Sequence, residues 1–378
     1  MKKVIPVALT LFLVMVLSSV LGVVMLYSGY EEPETKTKNI DIKRSFQNSY
    51  DTLVVDMGYD SVNIIPSNNT DIVLHYYGNV RSTKDEFNAE LIIHENNNLE
   101  VDKRSLAKNN KPVLFNVDSF YRDELQLDIY LPKGLNLEVE AGEINARAQT
   151  LGNLYFKTFS GDIELVNLTG NITSIETSSG NVNIHGMDAV DFYLKSFSGD
   201  TIITGLKAEM FNADLNSGDM QVDFTDSLTK KVVIEGFSSD VKINNLNTND
   251  ASFDLNSGDI EVRESKFNKV NADTFSGDIK LASDFADARL NSNSGNIVLN
   301  ASMPGKLFAK THSGVVTLDF SKHSNFKLDF ETLSGKFENE FPILIETLEK
   351  RKVSGVVGNT SIAKEVMVKT TSGNLKII

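Results

Sequence analysis

The sequence predicts an all-β fold: a single-stranded parallel β-solenoid (a β-helix) of about 19 residues per coil, preceded by one transmembrane helix. Three observations lead there. A tetrapeptide, Ser-Gly-Asp-Ile or a near variant, recurs along most of the chain, clearest at Ser160–Ile163, Ser257–Ile260 and Ser276–Ile279. Its glycines return at intervals of 18 to 21 residues. Apolar and polar residues alternate on both sides of each glycine, the period-2 signature of strands with one buried face.

The N-terminus comes first. Met1-Lys2-Lys3 precedes an apolar run from Val4 to Tyr27. About 20 apolar residues cross a bilayer, so residues 4–27 read as a signal anchor with 1–3 as its cytoplasmic n-region. The alternative is a cleaved signal, for which Val24 to Gly29 is a poor small-x-small site. Lys2 and Lys3 oppose Glu31, Glu32 and Glu34 across the run, which places the rest of the chain outside the cell membrane. Residues 28–45 are polar and aperiodic and read as a flexible stalk.

From residue 46 the pattern is β. Leu53–Met57 and Val62–Ile65 flank Gly58, and Asp71–Tyr77 reads as a strand closed by Gly78. Leu91–His94 and Leu99–Val101 read as a hairpin over an Asn-rich turn. Ser105–Asn110 is a polar loop, and Leu125–Leu131 alternates until Pro132-Lys133-Gly134. Residues 46–140 therefore form the atypical capping coils that a repeat array requires.

The regular repeats occupy 141–378. The corner position is filled by Gly142, Gly161, Gly180, Gly199, Gly218, Ser239, Gly258, Gly277, Gly295, Gly314, Gly335, Gly355 and Gly373. Positions two and four after it are apolar, as in Ile163/Leu165, Ile260/Val262 and Val316/Leu318. Positions seven and five before it are apolar too, as in Leu154/Phe156 and Phe192/Leu194. A further apolar residue (Leu168, Met187, Leu206, Leu246) suggests a short third side. A unit this small buries its face only by stacking on its neighbours. Thirteen coils at ~4.8 Å would make a rod of roughly 60 Å, and parallel crossovers favour a right-handed winding. The C-terminal Gly373–Ile378 stops mid-coil, so an open edge is expected there, blunted by Lys364, Lys369 and Lys376.

Glycine at the corner supplies positive φ, Asp or Asn beside it an Asx-turn, and the stacked serines a hydroxyl ladder. Asp219, Asp240, Asp259 and Asp278 share one slot in consecutive coils. Calcium would relieve their repulsion; the dense glycine-rich motif of calcium rolls is absent, and turn chemistry is the favoured reading, with no cofactor. Phe159, Phe197, Phe237 and Phe275 stand two residues before the corner in alternate coils. Strict parity would turn them outward as a stripe able to bind a glycan or a partner protein. Each follows a small residue (Thr158, Ser196, Gly236, Thr274), where Leu215 and Leu255 stand in intervening coils. That compensation in volume favours an inward, core position.

A net charge of −14 disfavours nucleic acid as a partner. The chain has no cysteine, which excludes disulfides and thiolate chemistry. His75, His94, His185, His312 and His323 are scattered without ligand spacing, and no nucleophile elbow, phosphate loop or zinc-protease motif occurs. The chain therefore reads as a non-enzyme.

Leu127-Asp128-Ile129-Tyr130-Leu131-Pro132-Lys133-Gly134-Leu135, followed by the Ser-Gly-Asp-Ile coils, resembles the bacterial adhesin-like β-strand repeat family, domain of unknown function 4097. The anchor ahead of such a domain is similar to LiaG-type membrane proteins associated with envelope-stress operons. The resemblance implies a β-solenoid and carries no catalytic motif. The resulting expectation is a single-pass cell-membrane protein whose extracytoplasmic solenoid binds without catalysis, its partners the membrane and a cell-wall glycan or envelope protein. The alternatives are a polysaccharide-active β-helix enzyme and a regulatory or scaffold partner of an envelope-stress sensor.

Overall fold

The computed structural model describes residues 36–82, 90–103, 121–225, 228–302, 305–359, 361 and 363–378. The expected n-region, the anchor 4–27 and the loop Ser105–Asn110 lie outside them. Among the described residues, no helix is long and apolar enough to cross a membrane. Every regular element described is a strand, and all join one hydrogen-bonded sheet.

Nine successive turns of about 19 residues run from Gly142 to Gly314. The strand before the corner stacks in parallel register through Val139, Phe156, Ile175, Leu194, Ala213, Ile234, Phe253, Ala272, Leu290 and Ala309. The strand after it stacks through Ile144, Ile163, Val182, Thr201, Met220, Val241, Ile260, Ile279, Ile297 and Val316. Both columns point into one continuous core. Burying a large apolar side chain contributes about 1.5–3 kcal/mol, so the alternation read from sequence is also the main stabilising term. Phe192 and Phe211 stack in adjacent coils with ring centroids 5.5 Å apart.

The short third side is present: Leu168, Met187 and Leu206 pair in register. A second corner precedes it, six residues after the first. It is turned by a left-handed residue at Ala148, Asn167, Gly186, Gly205, Asn245 and Glu264, with φ between 46° and 76°. Three residue types other than glycine accept this conformation, so no single-letter signal marked it.

The two ends depart from sequential winding in the same way. At the N-terminal end, Thr52–Asp56 lies between Asn98–Lys103 and Asn136–Ala141. Ser61–Pro66 likewise lies between Tyr121–Leu131 and Glu143–Arg147. The first coil of the chain is thus the second of the stack. Asp71–Ser82 and Lys36–Gln47 close the outer edge as antiparallel strands, and Leu91–Glu95 folds back on Asn98–Lys103. Two expectations change here. Residues 36–45, read as stalk, belong to a twelve-residue strand, because Lys36–Gln47 finds a full partner in Asp71–Ser82. That partner is not closed by Gly78 but passes through it at φ +135°, where a Cβ would lie 2.1 Å from the Glu124 carbonyl oxygen. The Leu131–Leu135 turn carries the chain past the occupied rung into the regular array, with Gly134 at φ +88°.

At the C-terminal end the chain leaves Val316–Phe320, steps over one rung and forms Phe326–Thr332 and Phe337–Asn339. The hairpin Leu344–Glu349/Lys352–Val357 caps Phe326–Thr332 in antiparallel fashion. Only then does the chain return. Lys364–Thr370 enters between Lys306–Thr311 and Phe326–Thr332, and Leu375–Ile377 between Val316–Phe320 and Phe337–Asn339. The expected open edge is therefore wrong: both sides of the terminal strand are paired, and Lys369 bonds Glu331 across the rung at 2.8 Å. Thirteen sequential coils are also wrong. Gly355 is no corner but lies in the capping hairpin opposite Leu328, and Gly373 sits between Gly314 and Gly335.

Truncating the chain after Gly358 should abolish cooperative unfolding of the C-terminal third, because it leaves two rungs unpaired rather than one coil missing. Val368→Asp, which puts a charge at a fully buried site, should destabilise by about 3 kcal/mol or more. Thermal unfolding followed by circular dichroism measures both; a truncation with unchanged midpoint would sink the inserted-rung account.

Candidate binding face

The first corner is built by close axial approach. A Cβ on Gly161 would lie 1.5 Å from the Gly142 carbonyl oxygen, and one on Gly180 1.8 Å from that of Gly161. The same collision recurs at Gly277, Gly295, Gly314 and Gly373. Positive φ holds only at Gly199, Gly218 and Gly258, so room for the neighbouring coil, not left-handed backbone, is the general reason for glycine. Ser239 is the exception; its side chain is buried, and Gly236 three residues earlier has no side chain to compete for that space.

The Asp/Asn slot joins coil to coil. The Asp200 N–H donates to Asn181 Oδ1 (3.0 Å), that of Asp219 to Asp200, that of Asp240 to Asp219, that of Asp259 to Asp240 and that of Asp278 to Asp259 (2.8 Å). The local Asx-turn is thus replaced by an acceptor ladder in which each carboxylate holds the amide of the next coil. Among the described residues, no group of three or more His, Asp or Glu side chains has an arrangement able to hold a metal ion. Corner serines do not bond one another either: Ser179 and Ser198 donate to the carbonyls of Phe159 and Ser178 in the preceding coil. Buried threonines complete the corner, as where Thr177 Oγ1 accepts from Gly180 N–H at 3.0 Å.

The phenylalanines do not enter the core. Phe159, Phe197, Phe237 and Phe275 are 70%, 64%, 59% and 62% exposed. The expected inward swing fails because Thr158, Ser196 and Thr274 are themselves buried. Thr158 and Thr274 donate to the corner carbonyls of Gly142 and Gly258. Gly236 instead leaves room for Leu255, whose Cδ2 would lie 2.7 Å from an added Cβ. Strict parity holds. The stripe repeats every second coil, a spacing of about 9.6 Å, with Ser178, Asn216 and Asn256 between the rings.

Beside the stripe runs an open groove. One part, about 920 Å³, holds Phe237 and Phe275; the next, about 710 Å³, holds Phe159 and Phe197, and the two share Asp214 and Asn216. Two residues before each ring, the outward position reads Lys157, Glu176, Lys195, Asp214, Glu235, Asp254 and Asp273 in parallel register. Asp214, Glu235 and Asp254 have no cationic partner among the described residues, while Asp273 accepts from Asn291. Carboxylates one coil apart repel by about 0.9 kcal/mol per neighbour in water. Lys157 is raised above the usual lysine range by its hydrogen bond to Glu140 (2.9 Å), so it stays cationic at the other end of the groove.

The sequence matches the Toastrack DUF4097 family model over residues 50–236 and 227–378. The chain belongs to that family. Among solved structures, it is similar to a candidate cell adhesion protein from Clostridium sporogenes (10% identity, 92% of this chain and 99% of that one covered, TM-score 0.18). It is also similar to a candidate lipid-binding protein from Parabacteroides distasonis (13%, 91% and 97%, TM-score 0.29). A third is a candidate adhesin from Bacteroides fragilis (12%, 92% and 99%, TM-score 0.22). No curated protein matches the chain.

In this Toastrack chain the histidines stay apart. His75 contacts Asp41 at 2.9 Å and stacks on Tyr77, His185 contacts Thr204, and only His312 reaches the groove. The acidic column Asp214–Asp273 escaped sequence reasoning as a site. Its only signal in the sequence is a polar residue four before the corner, which by itself marks no more than an outward face.

Two substitutions separate the corner's parts. Gly161→Ala should destabilise by about 3 kcal/mol or more, since the obstacle is backbone of the preceding coil. Asp259→Ala should cost about 1 kcal/mol and Asp259→Asn almost nothing, because the amide keeps an acceptor. Chemical denaturation measures all three; equal losses for Asp259→Ala and Asp259→Asn would refute the acceptor ladder.

Proposed function

We propose that this protein is a LiaG-like, membrane-anchored Toastrack member whose solenoid stands outside the cell membrane. There it binds an extended polymer of the cell envelope without chemically changing it. The observation that carries this reading is the stripe of four exposed phenylalanines at a two-coil spacing beside a continuous groove. Exposed apolar residues repeated in line cost solubility, and a contiguous patch of them marks an interaction surface. A linear site of this kind suits a linear ligand, since each repeat of the protein meets a repeat of the polymer. Anchoring by residues 4–27 would hold the face near the membrane, which suits an adhesin-like role.

Co-sedimentation of the detergent-solubilised full chain with purified cell-wall material, with and without calcium, tests the reading. Wild type should pellet with the wall. A quadruple Phe159/Phe197/Phe237/Phe275→Ser variant, folded by circular dichroism, should lose at least about tenfold in apparent affinity. Retention of binding by that variant would remove the stripe from the function.

A further inference from the structure

The charge and period of the groove narrow the ligand further, resting on the binding reading above. The rings recur every second coil, with hydrogen-bonding Ser178, Asn216 and Asn256 in the coils between. From Phe159 to Phe275 the stripe spans six coil steps, roughly 29 Å. In a β-1,4-linked hexopyranose chain each ring is flipped relative to the one before, so the same face returns at every second sugar. A polymer lying along the solenoid axis with one ring per coil would offer a stacking face at each phenylalanine. At each intervening coil it would offer hydroxyl or amide groups.

The second feature is charge. Alongside Phe237 and Phe275, about 6.6 Å away along the strand, stand Asp214, Glu235, Asp254 and Asp273 on consecutive coils. Three of them lack a cationic partner among the described residues, and the groove is open to solvent. Lys195 stands one coil before Asp214, and Arg289 and Lys310 line the groove beyond Asp273, so the uncompensated charge is centred on Glu235 and Asp254. A neutral glycan would leave that repulsion in place; a cationic substituent on the ring would relieve it. The geometry points to a β-1,4-linked polysaccharide carrying free amino groups, a glucosamine-type chain, bound along the stripe with the ammonium group of every second sugar on the acidic column.

Isothermal titration of the detergent-solubilised full chain, at mildly acidic pH and low salt, tests this with four soluble hexasaccharides. They are β-1,4-glucosamine, β-1,4-N-acetylglucosamine, β-1,4-glucose and β-1,3-glucose. The glucosamine hexamer should bind about tenfold or more tighter than the other β-1,4 chains, with the advantage fading as salt rises. Glu235→Gln with Asp254→Asn should erase that advantage, weakening the glucosamine chain far more than the neutral chains. Phe237→Ala with Phe275→Ala should weaken every β-1,4 chain. Equal binding of the glucose and glucosamine chains would overturn the amine assignment, and the β-1,3 chain binding as well as the β-1,4 would overturn the register. If no hexasaccharide bound, the glycan class would be wrong. In that last case the wall-sedimentation result with the phenylalanine variant would still decide, separately, whether the stripe binds another polymer.

Discussion

Everything in this molecule depends on how closely one coil lies on the next at the Ser-Gly-Asp corner. The glycine Cα is pressed against the carbonyl oxygen of the preceding coil, at a distance that leaves no room for a Cβ. The residue after it offers its side-chain oxygen to the following coil's amide. Parallel strand spacing is set by backbone hydrogen bonding at about 4.8 Å. A corner that could not approach so closely would splay the stack and expose the core columns on either side. The tetrapeptide is therefore a spacing device, and the functional surface is laid out on the ruler it provides.

That ruler turns a sequence period into a surface pattern. Residues 19 apart in sequence become neighbours on the face, so a substitution repeated every second unit becomes a stripe at twice the coil spacing. The phenylalanines and the acidic column both arise this way. Because each lies on the same strand as buried residues whose positions are fixed by packing, the face is held rigidly without any dedicated framework. A rigid, open groove loses little conformational entropy on binding, and its regular repeat favours long, regular ligands over compact ones.

The interleaved ends solve a different problem. A solenoid wound strictly in sequence leaves its first and last strands with unpaired edges that recruit other chains. Here the terminal strand Leu375–Ile377 is enclosed by older rungs, and antiparallel hairpins supply the true ends. The cost falls on folding. Phe326–Asn339 gains its parallel neighbour only when a segment about forty residues later arrives, and such non-local pairing slows folding.

By itself, the sequence determined the fold class, the coil length, the corner and which residues of each strand face inward. Each of these follows from a short-range rule, the alternation of side chains about a backbone turn, that is written out in every repeat. Only the tertiary structure decided the order of the rungs. Lys364–Ile378 and Thr52–Pro66 carry the same local pattern whether they end a stack or lie inside one, and their neighbours are chosen by contacts far along the chain. It also decided the direction of the phenylalanines. The volume argument that placed them inward weighed residues one position apart, while the buried hydroxyls of Thr158 and Thr274 were already committed to carbonyls of the coil before. Such a hydrogen bond joins residues sixteen apart and leaves no mark on the alternation, so the face it freed for binding became visible only once the coils were stacked.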